Sequence, residues 1–167
     1  MNKHTNQKLF DAYDENWHKL FFDIKSGGYL VAHKRHDLRE LSQNIAVGLR
    51  LARLGECVEL LPDTPHAPSA DATRNGEVWE IKTTNGSESS IQNRIRKGKS
   101  QSKNRLLVFP DNFDEAEVIT ALINAINMDK RNEVSLLHLL FVNDKIAVLT
   151  KEDIRFRRFE KFFDALK

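Results

Sequence analysis

The dipeptide Asn75-Gly76, set between Ala70 to Arg74 and Glu77 to Thr83, constrains the fold more than any other feature of the chain. A two-residue type I′ hairpin turn needs positive φ at both central positions, and Asn followed by Gly meets that need at least steric cost. Such a turn fixes a register. Arg74 faces Glu77, and counting outward pairs Thr73 with Val78, Ala72 with Trp79 and Asp71 with Glu80. The last of these sets two carboxylates side by side. Directly opposed residues have Cβ atoms about 4.5–5.5 Å apart, where like charges repel unless something compensates. Strand alternation puts Val78, Glu80 and Lys82 on one face and turns Trp79 and Ile81 to the other, expected to be the core.

A divalent cation is a natural compensator for the Asp71–Glu80 pair. Mg²⁺ and Mn²⁺ prefer hard oxygen ligands and are commonly held by one or two carboxylates plus water and substrate phosphate. Lys82, beside Glu80, would then orient a nucleophilic water and stabilise charge building on a phosphate. Taken alone, a Glu-x-Lys tripeptide is also what an exposed ion pair on a sheet surface looks like, and such a pair contributes at most about 1 kcal/mol. The surrounding pattern has to decide between the two.

The apolar series Phe10, Tyr13, Trp17, Leu20/Phe21 and Ile24 recurs at steps of three and four, which predicts an amphipathic helix within residues 1–25. Tyr29 to Ala32 is a short strand. Asp37 reads as an N-cap with Glu40 at capping-box spacing, and Leu38, Leu41, Ile45, Leu49 and Ala52 continue at helical period until Gly55. Cys57 to Leu61 is a buried strand, and the prolines of 62–68 require an irregular loop. After Thr83 a polar loop leads into a basic helix ending near Lys103. Leu106 to Phe109 is another buried strand, Asp111-Asn112 caps a helix through Val118, Ala121, Leu122, Ala125 and Ile126, and a second hairpin forms around Asn143-Asp144. A short terminal helix starting at Thr150 or Asp153 carries Ile154, Phe159, Phe162 and Phe163. Alternating helices and strands favour a mixed α/β sheet flanked by helices. The expected organisation is a single domain over 1–167: an N-terminal helix in 1–25, a core in 27–110, and a C-terminal elaboration in 111–167.

Bulk charge says little about partners, because 26 Lys and Arg nearly balance 24 Asp and Glu. Its distribution says more. Arg94, Arg96, Lys97, Lys99, Lys103 and Arg105 fall in one stretch with no acidic residue, a pattern suited to phosphate contact, although a solvated basic helix face has the same composition. On a helix, Arg94, Lys97 and Gln101 share a face. Arg94, Lys97 and Lys103 are therefore the candidate nucleic-acid contacts, with His36, just ahead of the Glu40 helix, as a further one. The single cysteine, Cys57, lies in an apolar run and reads as a buried structural thiol in a reducing compartment. The histidines show no zinc-ligand spacing with it. There is no signal-peptide pattern and no apolar stretch of membrane-spanning length. Phosphate loops, nucleophile elbows and dinucleotide fingerprints are missing too, which argues against kinase, NTPase, serine hydrolase and Rossmann readings.

An Asp at hairpin register, a Glu-x-Lys, a Glu in a preceding helix and a basic helix afterwards together resemble the PD-(D/E)xK nuclease superfamily. Glu40 matches the helical Glu, Ser69-Ala70-Asp71 the variable Pro-Asp motif with its proline replaced, and Glu80-Ile81-Lys82 the Glu-x-Lys motif. Gln101 resembles the helix Gln or Lys that often supplements them. Over residues 27–110 the order of Gly27-Gly28-Tyr29, His36, Glu40, Val58 to Leu61, Asp71-Ala72, Trp79 to Lys82 and Ile91 to Gln101 is similar to the C-terminal tRNA-nuclease domain of CdiA-type contact-dependent growth inhibition toxins. That resemblance implies a restriction-endonuclease-like core and a Mg²⁺- or Mn²⁺-dependent ribonuclease acting on tRNA in the cytoplasm of a target cell, with a cognate immunity protein as partner. Glu40, Asp71 and Glu80 would hold the metal; Glu40, Asp71, Glu80, Lys82 and Gln101 would make up the catalytic set. Starting at Met1 without a long upstream delivery region, the chain reads as either an excised domain or a free-standing relative. A DNA endonuclease of a mobile element and a non-catalytic nucleic-acid-binding module are the alternatives.

Overall fold

In a computed structural model, which describes residues 3–64, 69–97, 102–131 and 133–167, Asn75 and Gly76 take φ of 51° and 84°. These are the two positive values a type I′ turn requires. The flanking segments pair antiparallel as Arg74–Glu77, Thr73–Val78 and Ala72–Trp79, the register counted from the turn. Asn75 adds a tie of its own: its Oδ1 accepts the Cys57 N–H at 2.9 Å, and its N–H donates to the Cys57 carbonyl at 2.8 Å.

The chain divides into two compact units, Met1–Trp79 and Glu80–Lys167. The boundary falls inside the segment expected as core. The first unit holds α1 (Lys3–Ala12), β1 (Trp17–Phe22), β2 (Tyr29–His33), α2 (Leu38–Arg53), β3 (Cys57–Leu60), β4 (Ala72–Arg74) and the start of β5 (Glu77–Thr83). β1 and β2 are antiparallel, β2 and β3 are parallel across the α2 crossover, and β4 runs antiparallel to both β3 and β5. Helix α2 begins as expected at Asp37, whose side chain accepts the Arg39 N–H. Its buried side, Asn44, Val47, Gly48, Leu51 and Ala52, packs on β2 and β3. Phe10, Tyr13, Trp17 and Phe22 pack around Tyr29, Val31 and Cys57.

The N-terminal segment departs from the helix expected over 1–25. Helix α1 ends at Ala12, and Trp17–Phe22 is a strand. Asp14 explains the break: its carboxylate accepts the Asn16 N–H and its carbonyl accepts the Trp17 N–H, a side-chain turn that competes with helix. The aromatic spacing has a second solution. A β-bulge between Lys19 and Phe21 shifts the strand by one residue, so Trp17 and Phe22 join one cluster despite their odd separation.

The second unit continues β5 and adds α3 (Glu88–Lys97), β6 (Asn104–Val108), α4 (Glu115–Asn127), β7 (Leu136–Leu140), β8 (Ile146–Thr150), α5 (Lys151–Arg155) and α6 (Glu160–Leu166). β5, β6 and β7 are parallel, joined by the α3 and α4 crossovers, and β8 returns antiparallel. Ile91 and Ile95 of α3, the apolar stripe of α4, Leu107 and Phe109, and Phe159 and Phe162 share one core. Each unit is thus a multi-stranded mixed sheet with helices packed on it. Three expectations shift here. Helix α3 is described as far as Lys97, residues 98–101 lie outside the described residues, and Lys103, expected near the end of the basic helix, lies in the bend entering β6, where its carbonyl accepts the Ser135 N–H at 2.9 Å. Asp114 caps α4 in place of Asp111-Asn112, accepting the Glu117 N–H at 3.0 Å. The terminal helix is two helices, separated by Arg157 at φ 54°.

Candidate functional site

Strand β5 carries the most unusual pair. Glu80 is fully buried, yet it stands on the strand face opposite Trp79 and Ile81. Lys82 Nζ lies 2.6 Å from Glu80 Oε1, with the lysine side chain 15% exposed. Residues two apart on a strand share a face, so the pair follows from alternation. It is not the exposed surface ion pair that the tripeptide alone allowed. A carboxylate taken wholly out of water requires close positive charge to stay ionised, and Lys82 supplies some of it.

Arg105 supplies more. It opens β6 in parallel register with Glu80 and is fully buried. One of its terminal nitrogens, Nη1, donates to the carbonyls of Ser102 and Asn104; Nε and Nη2 have no hydrogen-bond partner among the described residues. Burial lowers the Arg105 pKa, and the charge of Glu80 acts in the opposite direction. Sequence reasoning places Arg105 at the end of a basic stretch facing solvent. What could have separated it is its position directly before Leu106-Leu107-Val108-Phe109, as the first residue of a buried strand.

The other expected residues lie as follows. Asp71 is buried, immediately before β4, and its carbonyl accepts the Leu61 N–H at 3.0 Å. The β4–β5 ladder extends to Ala72–Trp79; Asp71 precedes the first of these in the chain and Glu80 follows the second. Glu40 is half-buried in the first turn of α2. His36 is buried, with Nδ1 at 2.6 Å from the Leu61 carbonyl and Nε2 at 3.0 Å from Asn44 Nδ2. Both ring nitrogens are therefore engaged within the protein. Asn44, buried on α2, had no part in the expected site. Arg94 and Lys97 are exposed on α3, as is Lys103 before β6. Gln101 lies outside the described residues.

The oxygen donors at Asp71, Glu80 and Glu40 are of the chemistry that Mg²⁺ or Mn²⁺ takes, since these ions use few protein carboxylates and complete their shells with water and phosphate. Among the described residues no group of three or more His, Cys, Asp and Glu side chains is gathered closely enough to hold a metal by themselves.

The family model for the contact-dependent growth inhibition CdiA C-terminal domain matches residues 68–146, a little under half of the chain. The matched span runs from just before Asp71 through Glu80, Lys82, α3 and Arg105. A solved structure described as a CdiA-CT/CdiI toxin and immunity complex from Burkholderia pseudomallei is similar at 19% identity, over 67% of this chain and 85% of that one, with a TM-score of 0.48. No curated protein sequence matches the chain.

Proposed function

We propose that this chain is a metal-dependent nuclease of the PD-(D/E)xK type that cleaves RNA, with tRNA as its substrate, and that it acts as a growth-inhibition toxin domain in the cytoplasm of a target cell. The observation that carries the reading is the Glu80–Lys82 pair on β5, a buried carboxylate 2.6 Å from a partly exposed lysine ammonium, on the strand that leaves the Asn75-Gly76 hairpin. The match of residues 68–146 to the CdiA C-terminal domain supports the same reading from the sequence. A cognate immunity protein is the partner that such a toxin domain implies.

In this reading Asp71 and Glu80 would hold Mg²⁺ or Mn²⁺ with support from Glu40, and the ion would supply Lewis acidity. Lys82 would orient an attacking water and face the charge that grows on the phosphoryl oxygens. Its tight contact with Glu80 fixes the ammonium, so little reorganisation is required during the reaction. Arg94, Lys97 and Lys103 contribute sequence-independent attraction for the backbone. Gln101 joins the catalytic set by its likeness to the superfamily's helical Gln or Lys.

The test is cleavage of purified tRNA and of duplex DNA by the full chain, with Mg²⁺ or Mn²⁺ and with chelator. Metal-dependent tRNA cleavage should vanish in Asp71→Ala, Glu80→Gln and Lys82→Ala while circular dichroism is unchanged. Full activity in any of these folded variants overturns the assignment. Cleavage of DNA alone would make the chain a DNA endonuclease, and salt-sensitive binding without turnover would make it a binding module.

A further inference from the structure

His36 is buried with both ring nitrogens hydrogen-bonded within the protein, and the direction of those two bonds is fixed. A carbonyl only accepts, so the 2.6 Å contact with Leu61 places the proton on Nδ1. Nε2 is then an acceptor, and it takes its hydrogen bond from the Asn44 side-chain amide at 3.0 Å. Asn44 is 1% exposed and His36 6%, so water does not compete for either bond.

Leu61, whose carbonyl accepts the His36 hydrogen bond, is itself held from the other side. The Leu61 N–H donates to the carbonyl of Asp71 at 3.0 Å, and a second stitch, Asp63 N–H to the Arg35 carbonyl at 2.8 Å, ties the same segment to the turn before α2. A continuous path of hydrogen bonds therefore runs from Asn44 through His36 and Leu61 to Asp71. Asn44 lies one turn beyond Glu40 on α2, at the i, i+4 spacing that shares a helix face. Every member belongs to the first unit.

We propose that His36 and Asn44 are positioning residues of the metal site: they index the start of α2, which carries Glu40, to the backbone of Asp71, and so fix where these two residues stand relative to each other. This inference rests on the reading of Glu40 and Asp71 as metal-binding groups. The chemistry favours a histidine for the task. A neutral imidazole donates at one edge and accepts at the other, and bridges two buried elements without introducing a charge.

Mn²⁺ binding to the full chain, followed by electron paramagnetic resonance without nucleic acid, tests the idea alongside steady-state tRNA cleavage. His36→Phe keeps a ring but removes both bonds and should weaken Mn²⁺ affinity about 10- to 100-fold, the usual effect of losing an outer-shell partner. It should lower kcat more than it raises KM for RNA. His36→Asn retains a donor near the Nδ1 position, toward Leu61, and should recover most of the affinity. Asn44→Ala, which keeps the His36–Leu61 bond, gives a milder loss and serves if His36→Phe does not fold. Wild-type Mn²⁺ affinity in folded His36→Phe or, failing that, in Asn44→Ala overturns the positioning role, provided Glu40→Ala and Asp71→Ala are weakened. If those two also bind Mn²⁺ like wild type, the metal-site reading falls and this inference with it.

Discussion

Buried charges are costly unless paired, and the chain resolves that cost in three ways. Arg74 is held bidentately by Glu56 at 2.7 and 2.8 Å while its guanidinium lies 4.2 Å from the Trp79 ring centre. Lys151 donates to the Asp129 carboxylate at 2.8 Å, and Asp129 also accepts the N–H groups of Glu133 and Val134. Both pairs have a structural role, with Arg74 Nη1 alone of their donors lacking a hydrogen bond among the described residues. Removing one member of such a pair strands the other, so Lys151→Ala should cost about 3–5 kcal/mol in urea unfolding. Glu80 and Arg105 are the third case, with two guanidinium nitrogens lacking partners among the described residues. A titration at Tyr29 provides a check on the first unit's packing. Burial, the largest cause, raises its hydroxyl to about 12, whereas an unfolded tyrosine ionises near about 10. Below pH 10 the hydroxyl is neutral in both states. From there to about pH 12 the unfolded chain releases a proton that the folded chain keeps, so stability falls as pH rises. Tyr29→Phe should flatten that decline in alkaline denaturation curves; an unchanged decline would locate its source elsewhere.

Elements follow their local sequences where turn chemistry and periodicity agree, and depart where one apolar pattern admits two periods. The Asn75-Gly76 hairpin and helix α2 are legible because a turn or a cap marks the boundary and the apolar spacing agrees with it. The N-terminal aromatic series misleads because a bulged strand and a helix can both bring Trp17 and Phe22 near Tyr29, and only the side-chain turn at Asp14 distinguishes them. Likewise the burial of Arg105 and the partners of His36 depend on which distant strand or helix faces each residue, which no local window contains. The junction of β1, β2 and α2 also turns on one such approach. A β-carbon on Gly28 would lie 2.0 Å from the Ala52 carbonyl oxygen, a backbone atom that has no easy path away. Gly28→Ala should therefore lower stability by about 1–3 kcal/mol or more, read as a fall in thermal midpoint. A midpoint equal to wild type would mean that β2 and α2 separate freely at this point.

At the scale of the whole molecule, net charge and recognition part company. A chain of formal charge +2 has little overall attraction for a polyanion, and no helix among the described residues is long and apolar enough to cross a membrane. The proposed attraction for RNA must then come from where the charges sit. Arg94 and Lys97 lie exposed on α3, whose buried Ile91 and Ile95 anchor it in the second unit's core and so fix the outward direction of the basic side. If these two side chains each displace counterions from a phosphate, affinity for tRNA will fall as salt rises, and the log–log slope reports how many phosphates are neutralised. Replacing both with alanine should make that slope shallower by about 0.7–0.9 for each phosphate that is no longer neutralised. Turnover at saturating tRNA should persist, because neither residue belongs to the proposed catalytic set. An unaltered slope would assign phosphate binding to a different surface, whereas loss of turnover at saturation would show that α3 aligns the scissile bond as well as attracting the strand.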